Sequence, residues 1–403
     1  MKYSKDVLDG LTKKFGSPIY VFDKNGFIKN YLQLETAMKE HYEEYRLAYS
    51  FKTNYTPFIC RTAKSLGAYA EVVSGMEYAI AKRIGYADDK IIFNGPCKGR
   101  EGIQAFQYGS LVNAESLDEL QLYCDIANNN PQTDYQIGLR IHLNLGKNFF
   151  SRFGMDVESI VHAVQMVSRV DNLRIAGLHC HISRCRDLEA WKKRTEKMLT
   201  ISSELFNDEL DYLDLGSGMY GSMVPEFAAQ FDKVPTYEEY AQVTAGLFSE
   251  HFKGKRKPFL FTEPGTTLIN RFIDFISNVE TIKQINSHDI AVLNCSTHNL
   301  GETCTLKRLP VTIVAGGEHQ RYFESIDLSG YTCLEQDIMI PSFQGKLAKG
   351  DYIVFGNTGG YSNVLKPPFI RPNCAMIAEK ADGEFTLMKA AETYEDILHT
   401  YVF

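Results

Sequence analysis

The chain has 403 residues, of which 44% are hydrophobic and 23% charged, and its formal net charge is −7 at pH 7. This length exceeds the roughly 250 residues at which a single hydrophobic core stops growing, so it predicts two domains. The chain has a net negative charge and no run of five like charges, so it lacks the basic surface expected of a protein that binds nucleic acid or an anionic membrane. With no stretch of about 18 apolar residues and no signal-peptide pattern, we expect a soluble, cytoplasmic protein that binds small molecules and other protein subunits, and neither nucleic acid nor membrane.

The nine cysteines are scattered and form no C-x-x-C pair, which predicts reduced thiols rather than a disulfide framework. The nearest approach to a metal cluster is His179, Cys180, His181 and Cys185, where the two histidines share one face of a predicted strand. A structural zinc site would need a second ligand group with matching spacing. None follows in the sequence, so we expect no metal.

Short apolar runs alternate with stretches of helical periodicity, a pattern typical of parallel strands joined by helical crossovers. Eight such runs occur, at residues 46–51, 68–73, 90–95, 110–115, 135–142, 173–182, 210–216 and 257–265. Eight strand–helix units over about 240 residues predict an α/β fold of the (β/α)8 TIM-barrel type. A doubly wound open sheet is the alternative architecture.

After about residue 270 the sequence changes to turn-rich segments with strand-like patterns and little helical periodicity. This predicts a separate antiparallel β-domain. The extended segment at 17–23 could pair with it, so both ends of the chain would build the β-domain. We therefore assign residues 24–268 to the barrel and residues 1–23 and 269–403 to the β-domain.

In a (β/α)8 barrel the chemistry lies at the carboxyl ends of the strands. The polar residues found there are Lys52, Glu71, His181, the turn Gly216-Ser217-Gly218, and Glu263. A lysine amine can form a Schiff base with pyridoxal 5′-phosphate (PLP), and a glycine turn can bring backbone N–H groups against a phosphate. A carboxylate keeps the pyridine nitrogen protonated, and a flat imidazole can stack on the ring. Each feature alone is common, but together they predict a PLP site.

At these residues the chain resembles the fold-type III PLP-dependent decarboxylases, the alanine racemase-like barrel enzymes that include diaminopimelate, ornithine, arginine and carboxynorspermidine decarboxylases. The resemblance runs in order over nearly the whole chain. The matching motifs are AYSFKTN (48–54), EVVSGMEY (71–78), NGPCK (94–98), SRFG (151–154), GLHCHIS (177–183), LDLGSG (213–218), EPG (263–265), GYTCLEQD (330–337) and GDYIVFGNTGGY (350–361).

The resemblance implies a role for each matching residue. Lys52 would carry PLP as a Schiff base, and Cys333 would return a proton after CO2 leaves. The cofactor contacts implied are those of Glu71, His181, Gly218, Glu263, Gly265, Thr266 and Tyr361. Members of this family are typically homodimers in which the cysteine segment reaches the lysine of the opposite subunit, so we expect shared active sites.

Departures from the family pattern bear on the phosphate and on the substrate. The family's arginine after E-P-G is Thr266 here, and Arg184 stands where the family has serine, so we expect Arg184 to replace the missing charge. The residue after Cys333 is Leu334, where diaminopimelate decarboxylases carry a glutamate. We therefore expect a substrate other than diaminopimelate, bound in part by Arg308 and Asp337; the alternative for Lys307 and Arg308 is a pair of solvated surface charges.

The sequence thus predicts a PLP-dependent decarboxylase that removes the α-carboxylate of an amino acid. A racemase of the same fold is an alternative, but it would use two bases and usually an arginine at the pyridine nitrogen, where this chain has Glu263. A non-catalytic paralogue would be expected to lose its cofactor lysine, and Lys52 is present. A barrel enzyme without PLP would leave the motifs at Tyr361 and Cys333 without a role.

Overall fold

The computed structural model describes residues 3–146, 150–317, 319–380 and 383–403. The chain forms two compact units. The first comprises Ile28–Tyr220 and Lys233–Thr267, and the second comprises Met1–Phe27, Gly221–Asp232 and Leu268–Phe403. Among the described residues no helix is both long and apolar enough to cross a bilayer.

The chain opens with helix, strand and helix: α1 Lys5–Phe15, β1 Ile19–Asp23 and α2 Lys24–His41. The strands of the first unit then follow: β2 Tyr45–Ser50, β3 Tyr69–Val72, β4 Ile91–Phe93, β5 Leu111–Ala114, β6 Tyr135–Arg140, β7 Leu173–His179, β8 Tyr212–Asp214 and β9 Phe259–Thr262. Each pairs in parallel with the next, and β9 pairs with β2, which closes the barrel. The predicted eight-stranded barrel is confirmed.

Helices and helical turns connect these strands and lead on to the next unit: α3 Pro57–Ser65, α4 Gly75–Arg83, α5 Gly99–Gln107, α6 Leu117–Asn128, α7 Val157–Val167, α8 Leu188–Phe206, α9 Pro225–Ala228, α10 Tyr237–Ala241, α11 Leu247–His251 and α12 Thr266–Ile269. Short 3-10 turns cover Phe51–Thr53, Asp88–Lys90 and Asn270–Phe272, and a π-helical turn covers Gln242–Gly246. Both α4 and α6 begin with an S-x-x-E sequence. Ser74 and Ser116 accept the N–H of Glu77 and Glu119 at 3.2 Å, which satisfies a free donor at each helix start.

Aromatic side chains from β3, β8 and β9 pack together in the barrel interior. The ring of Phe261 lies 4.9 Å from that of Tyr69 and 5.9 Å from that of Tyr212, both edge-on. A Cβ at Gly177 would lie 2.4 Å from the Tyr212 ring, so only glycine leaves room for this tyrosine. The interior below the strand ends is therefore a packed core, as expected for a barrel of this size.

The second unit contains a mixed sheet of nine strands. Besides β1, its elements are β10 Ile273–Ile285, β11 His288–Leu293, α13 Thr297–Leu300, α14 Thr303–Leu306, β12 Val311–Val314, β13 Arg321–Ser329, β14 Ile338–Leu347, β15 Tyr352–Phe355, β16 Ala375–Glu379, β17 Phe385–Lys389 and α15 Tyr394–Leu398. The predicted pairing of the N-terminal segment with this unit is confirmed, since Ile19 pairs with Ile276 on β10 and with Ala375 on β16.

The sheet is not wholly antiparallel, in contrast to the expectation from sequence. β1 runs parallel to β16, and β11 runs parallel to β13. The remaining pairings are antiparallel, among them β10 with β11 and β13 with β14. The N-terminal strand lies between two strands from the far end of the chain, and the direction of such non-local pairing is not encoded in the local pattern of either strand.

Candidate active site

The side chain of Lys52 lies at the carboxyl end of β2 in an ion pair with a buried glutamate. Its Nζ donates to Glu71 Oε2 at 2.5 Å and to Ser50 Oγ at 2.7 Å. Glu71, at the end of β3, is 1% exposed, whereas the lysine side chain is 28% exposed. The amine is therefore fixed by a buried carboxylate and still reaches solvent, as a group that must react with a small molecule requires.

A second carboxylate, Glu263, lies at the end of β9 and is also buried. Its Oε1 accepts a hydrogen bond from Asn94 Nδ2 at 2.5 Å, and its Oε2 lies 3.2 Å from His179 Nε2. Asn94 also donates to Glu71 Oε1 at 3.3 Å. A continuous polar network therefore runs from Lys52 through Glu71, Asn94 and Glu263 to His179 across the carboxyl ends of the strands.

Asp214, at the end of β8, lies beside Glu263, and the two carboxyls do not ionise alike. Burial and the charge of Glu263 raise the pKa of Asp214 well above its usual range. Burial also opposes ionisation of Glu263, but the charges of His179 and Lys52, with hydrogen bonds from His179 and Asp214, outweigh it and hold the pKa of Glu263 below its usual value. The pair therefore consists of an ionised Glu263 and a protonated Asp214.

His179, Asp214 and Glu263 have ligand atoms within 4.8 Å of one another, the spacing of a metal site. Hydrogen bonding accounts for this arrangement. His179 and Glu263 contact each other directly, and the other Glu263 oxygen is occupied by Asn94. His181, which the sequence paired with His179 as a possible zinc ligand, does not join this cluster. Its Nδ1 instead contacts the glycine turn after β8.

The turn after β8 has two glycines with left-handed backbone conformation, Gly216 at φ 60° and Gly218 at φ 106°. A Cβ at Gly218 would lie 2.5 Å from the Ile182 carbonyl oxygen, so no other residue fits there. Within the described residues the Gly218 N–H has no hydrogen-bond acceptor. A close-packed glycine turn with a free amide is what phosphate binding requires.

His181 is half-buried, and its Nδ1 accepts the N–H of Ser217 at 3.1 Å. Burial, followed by the positive charge of Lys52, holds the pKa of His181 well below its usual value. The imidazole is therefore neutral, with its proton on Nε2, as a ring that stacks on a cofactor would be.

Three further predicted cofactor residues belong to the barrel unit. Gly265 is packed against the lysine turn, since a Cβ there would lie 2.0 Å from Thr53 Oγ1. Thr266, the first residue of α12, is half-buried, and Arg184 is exposed. The structure thus joins Lys52 directly to Glu71, and Glu71 to Glu263 through Asn94, whereas the cofactor roles of all these residues stay predictions.

The other predicted residues lie in the second unit. Cys333 is exposed, and Tyr361 is half-buried with a left-handed backbone at φ 56°. Arg308 is exposed; its backbone N–H and C=O pair with the Gln230 side chain at 2.9 and 2.8 Å, and its guanidinium has no partner among the described residues. Lys307, in contrast, donates to the Gln230 carbonyl at 2.6 Å.

Asp337 does not have the environment predicted for a substrate ligand. It is buried, and Oδ1 accepts from the N–H and hydroxyl of Thr297 at 2.8 and 3.0 Å. Oδ2 accepts from the N–H and hydroxyl of Thr332 at 3.2 and 2.6 Å. Four protein donors fill the usual capacity of a carboxylate. The structure therefore corrects the prediction: Asp337 braces the loop that precedes Cys333.

Sequence reasoning missed three residues of the network, Asn94, Asn113 and Asp214. Asn113 Nδ2 donates to Asn94 Oδ1, and Asn113 Oδ1 accepts from the Tyr212 hydroxyl, both at 2.8 Å. All three lie in or directly after barrel strands, so the rule that identified Lys52 and Glu263 could have found them.

The barrel, with a lysine and a glycine turn at the carboxyl ends of its strands, fits the class of enzymes that hold a phosphorylated cofactor through an amine. Residues 30–270, more than half of the chain, match the family described as pyridoxal-dependent decarboxylase, pyridoxal binding domain. The chain belongs to this family, and it is a PLP-dependent carboxy-lyase whose cofactor is pyridoxal 5′-phosphate.

Known relatives match nearly the whole chain. A diaminopimelate decarboxylase of Aquifex aeolicus is 25% identical, with 97% of this chain and 93% of the relative covered. One of Methanocaldococcus jannaschii is 26% identical over 96% and 92% of the two chains. The crystal structure of the M. jannaschii enzyme with L-lysine superimposes with a TM-score of 0.86 at 25% identity, covering 98% of this chain and 94% of that one. The Vibrio vulnificus lysine/ornithine decarboxylase with cadaverine has a TM-score of 0.76 at 19% identity, with 93% and 96% covered, and shows the fold alone.

Proposed function

We propose that this enzyme decarboxylates an α-amino acid other than diaminopimelate, at a site centred on Lys52. The observation that supports the proposal best is the buried network from Lys52 through Glu71 and Asn94 to Glu263. It provides an amine for the cofactor and an ionised carboxylate on the same face of the barrel. An anionic Glu263 favours decarboxylation over racemisation, because a protonated pyridine nitrogen makes the stronger electron acceptor.

The residues around this network fit the cofactor. Lys52 would hold it covalently, Glu263 would hold the proton at the pyridine nitrogen, and His181 would lie against the ring. Gly218 would donate its N–H to the phosphate, and the motif matches add Tyr361. When bound, the cofactor supplies the electron acceptor that stabilises the α-carbon as CO2 leaves. Glu71 orients the Lys52 amine through a 2.5 Å contact and can take up its proton.

Cys333 is the proposed proton donor. Loss of CO2 leaves an electron pair on the α-carbon, and the Sγ–H proton of Cys333 forms the C–H bond that replaces the carboxyl group. The thiol is exposed in a single chain, consistent with an action on the Lys52 site of a second subunit. Asp337 acts as a positioning residue, because its contacts with Thr332 fix the residue next to Cys333.

The distal end of the substrate is proposed to be an anion. Leu334, next to Cys333, offers no charge for the second ammonium group of a diamino acid. Arg308 has an exposed guanidinium without a partner among the described residues, whereas Lys307 is occupied by Gln230. A guanidinium is suited to bidentate binding of a carboxylate. We therefore expect an amino acid with a second carboxylate and no distal amino group.

A panel of amino acids tests this proposal through CO2 release from the PLP-loaded enzyme. The panel contains meso-diaminopimelate, lysine and ornithine against glutamate and 2-aminoadipate, each as both enantiomers where these exist. We expect turnover of a dicarboxylic substrate without a distal amine, and a higher KM for it in Arg308→Gln than in the matched variant Lys307→Gln. Preference for diaminopimelate would contradict the proposed specificity, and no CO2 release from any amino acid would count against the proposed reaction.

A further inference from the structure

Helix α8 presents a fully buried arginine to the two loops around the proposed phosphate site. Arg194 is 0% exposed, and its guanidinium donates to three backbone carbonyl oxygens. Nη1 donates to Leu215 and Ser217, both at 2.9 Å, and Nη2 donates to Ile182 at 2.8 Å. One side chain therefore ties the loop after β7 to the turn after β8.

No carboxylate among the described residues pairs with this guanidinium. Its flat face lies 4.2 Å from the ring of Trp191, and its Nε has no hydrogen-bond partner in the described structure. Burial lowers the pKa of Arg194, and the groups that oppose this are the thiols of Cys180 and Cys185 and the phenol of Tyr240. A buried cation without a counter-ion is costly, so its retention points to an anion that arrives with a ligand.

The hydrogen bonds of Arg194 also set the direction of the amides in the turn. In a trans peptide the C=O and the following N–H point in opposite directions. Because the Ser217 carbonyl points at Arg194, the Gly218 N–H points away from it, and this is the amide that has no acceptor among the described residues. Trp191 Nε1 reinforces the turn by donating to the Gly218 carbonyl at 3.5 Å.

We propose that Arg194 is the positioning residue of the phosphate subsite and supplies its buried counter-charge. It would hold the glycine turn with the Gly218 amide directed at the phosphate dianion, and its own charge would be balanced by that dianion. The inference rests on the proposed cofactor site. It assigns to Arg194 the charge that Thr266 lacks, and it leaves the exposed Arg184 without that role.

The experiment compares PLP with pyridoxal, which lacks the phosphate, by absorbance titration of the cofactor-free, full-length protein. The variants are Arg194→Met and Arg194→Lys. Arg186→Met is the matched control, because Arg186 also donates to carbonyls of these loops, those of Ser183 and Met219, and Arg184→Met tests the alternative that Arg184 supplies the charge. We expect Arg194→Met to reduce the preference for PLP over pyridoxal by on the order of 100-fold, with part of the preference retained in Arg194→Lys and little change in the control Arg186→Met.

If Arg194→Met lost affinity for PLP and for pyridoxal equally, the role of Arg194 would be purely structural and the inference would be overturned. The inference would also be overturned if Arg184→Met or Arg186→Met lost the preference for PLP over pyridoxal while Arg194→Met kept it. If the Arg194 variants do not fold, phosphorus NMR of the loaded wild-type enzyme decides. The bound phosphate should stay dianionic below about pH 6, where a free phosphate monoester titrates, and ordinary titration there would refute the inference. If wild-type protein binds neither ligand, the proposed function fails instead.

Discussion

The substitution Asn94→Ala tests whether the polar network stabilises the barrel as its geometry implies. The change removes the 2.5 Å hydrogen bond to Glu263 and leaves Asn113 without its 2.8 Å acceptor. Hydrogen bonds to charged groups contribute about 1.5–3 kcal/mol, and a buried group left unsatisfied costs about 1–3 kcal/mol. The expected loss in the free energy of unfolding is therefore about 4 kcal/mol.

Urea denaturation of the cofactor-free protein measures this loss, followed by the fluorescence of Trp191. The chain contains one tryptophan, and it is fully buried within the barrel unit, so its emission reports on that unit. Asn128→Ala, at an exposed position on α6, is the control and should change the stability by less than about 0.5 kcal/mol. A loss below about 1 kcal/mol for Asn94→Ala would refute the account of the network.

Three further predictions concern the shared site, the cysteine loop and the pH dependence. Mixing inactive Lys52→Ala and Cys333→Ala proteins should restore up to about a quarter of wild-type activity if each site combines two subunits, and no recovery would contradict a shared site. Asp337→Asn replaces one carboxylate oxygen with an NH2 donor, so the N–H and hydroxyl of Thr297 or of Thr332 lose their acceptor, and the change should lower kcat while leaving PLP binding intact; weakened PLP binding would argue against the role of Asp337 at the cysteine loop. Burial raises the pKa of Glu77 to about 7 in the folded protein. As pH rises, the Glu77 carboxyl therefore loses its proton in the unfolded chain before it does so in the folded protein. Stability from this group is therefore complete below pH about 4.5 and declines towards pH 7, by at most about 1.4 kcal/mol per pH unit. Glu77→Gln should remove that decline in urea denaturation at pH 4.5–7, and an unchanged slope would contradict the assignment.

Local patterns in the sequence were sufficient to predict the barrel and to locate two residues of the polar network at its strand ends. Lys52 and Glu263 end apolar runs, and the carboxyl ends of parallel strands meet at one face, so their proximity follows from the fold. Asn94 follows the same rule, but its importance depends on two carboxylates from other strands, and those contacts are not local in sequence.

Other features depend on tertiary contacts that no local pattern reveals. Arg194 lies in a helix rich in charged residues, where an arginine is normally expected to be exposed. It is buried because carbonyl groups of two distant loops meet its guanidinium. Asp337 matched a motif for substrate binding, but its carboxylate accepts four hydrogen bonds from Thr297 and Thr332 and so holds the loop that precedes Cys333. The parallel pairing of β1 with β16 joins opposite ends of the chain, so its direction could not be read from either segment alone.

The most direct test of the central claim is to locate the cofactor on the chain. The PLP-loaded protein is reduced with borohydride, digested and mapped by mass spectrometry. Lys98→Ala is the control, because Lys98 is another buried lysine of the barrel unit, directly before α5, and is paired with Glu119. We expect a single pyridoxyl-phosphate label on Lys52, retained in the control and lost in Lys52→Ala. A label on another lysine, or no stable label, would contradict it.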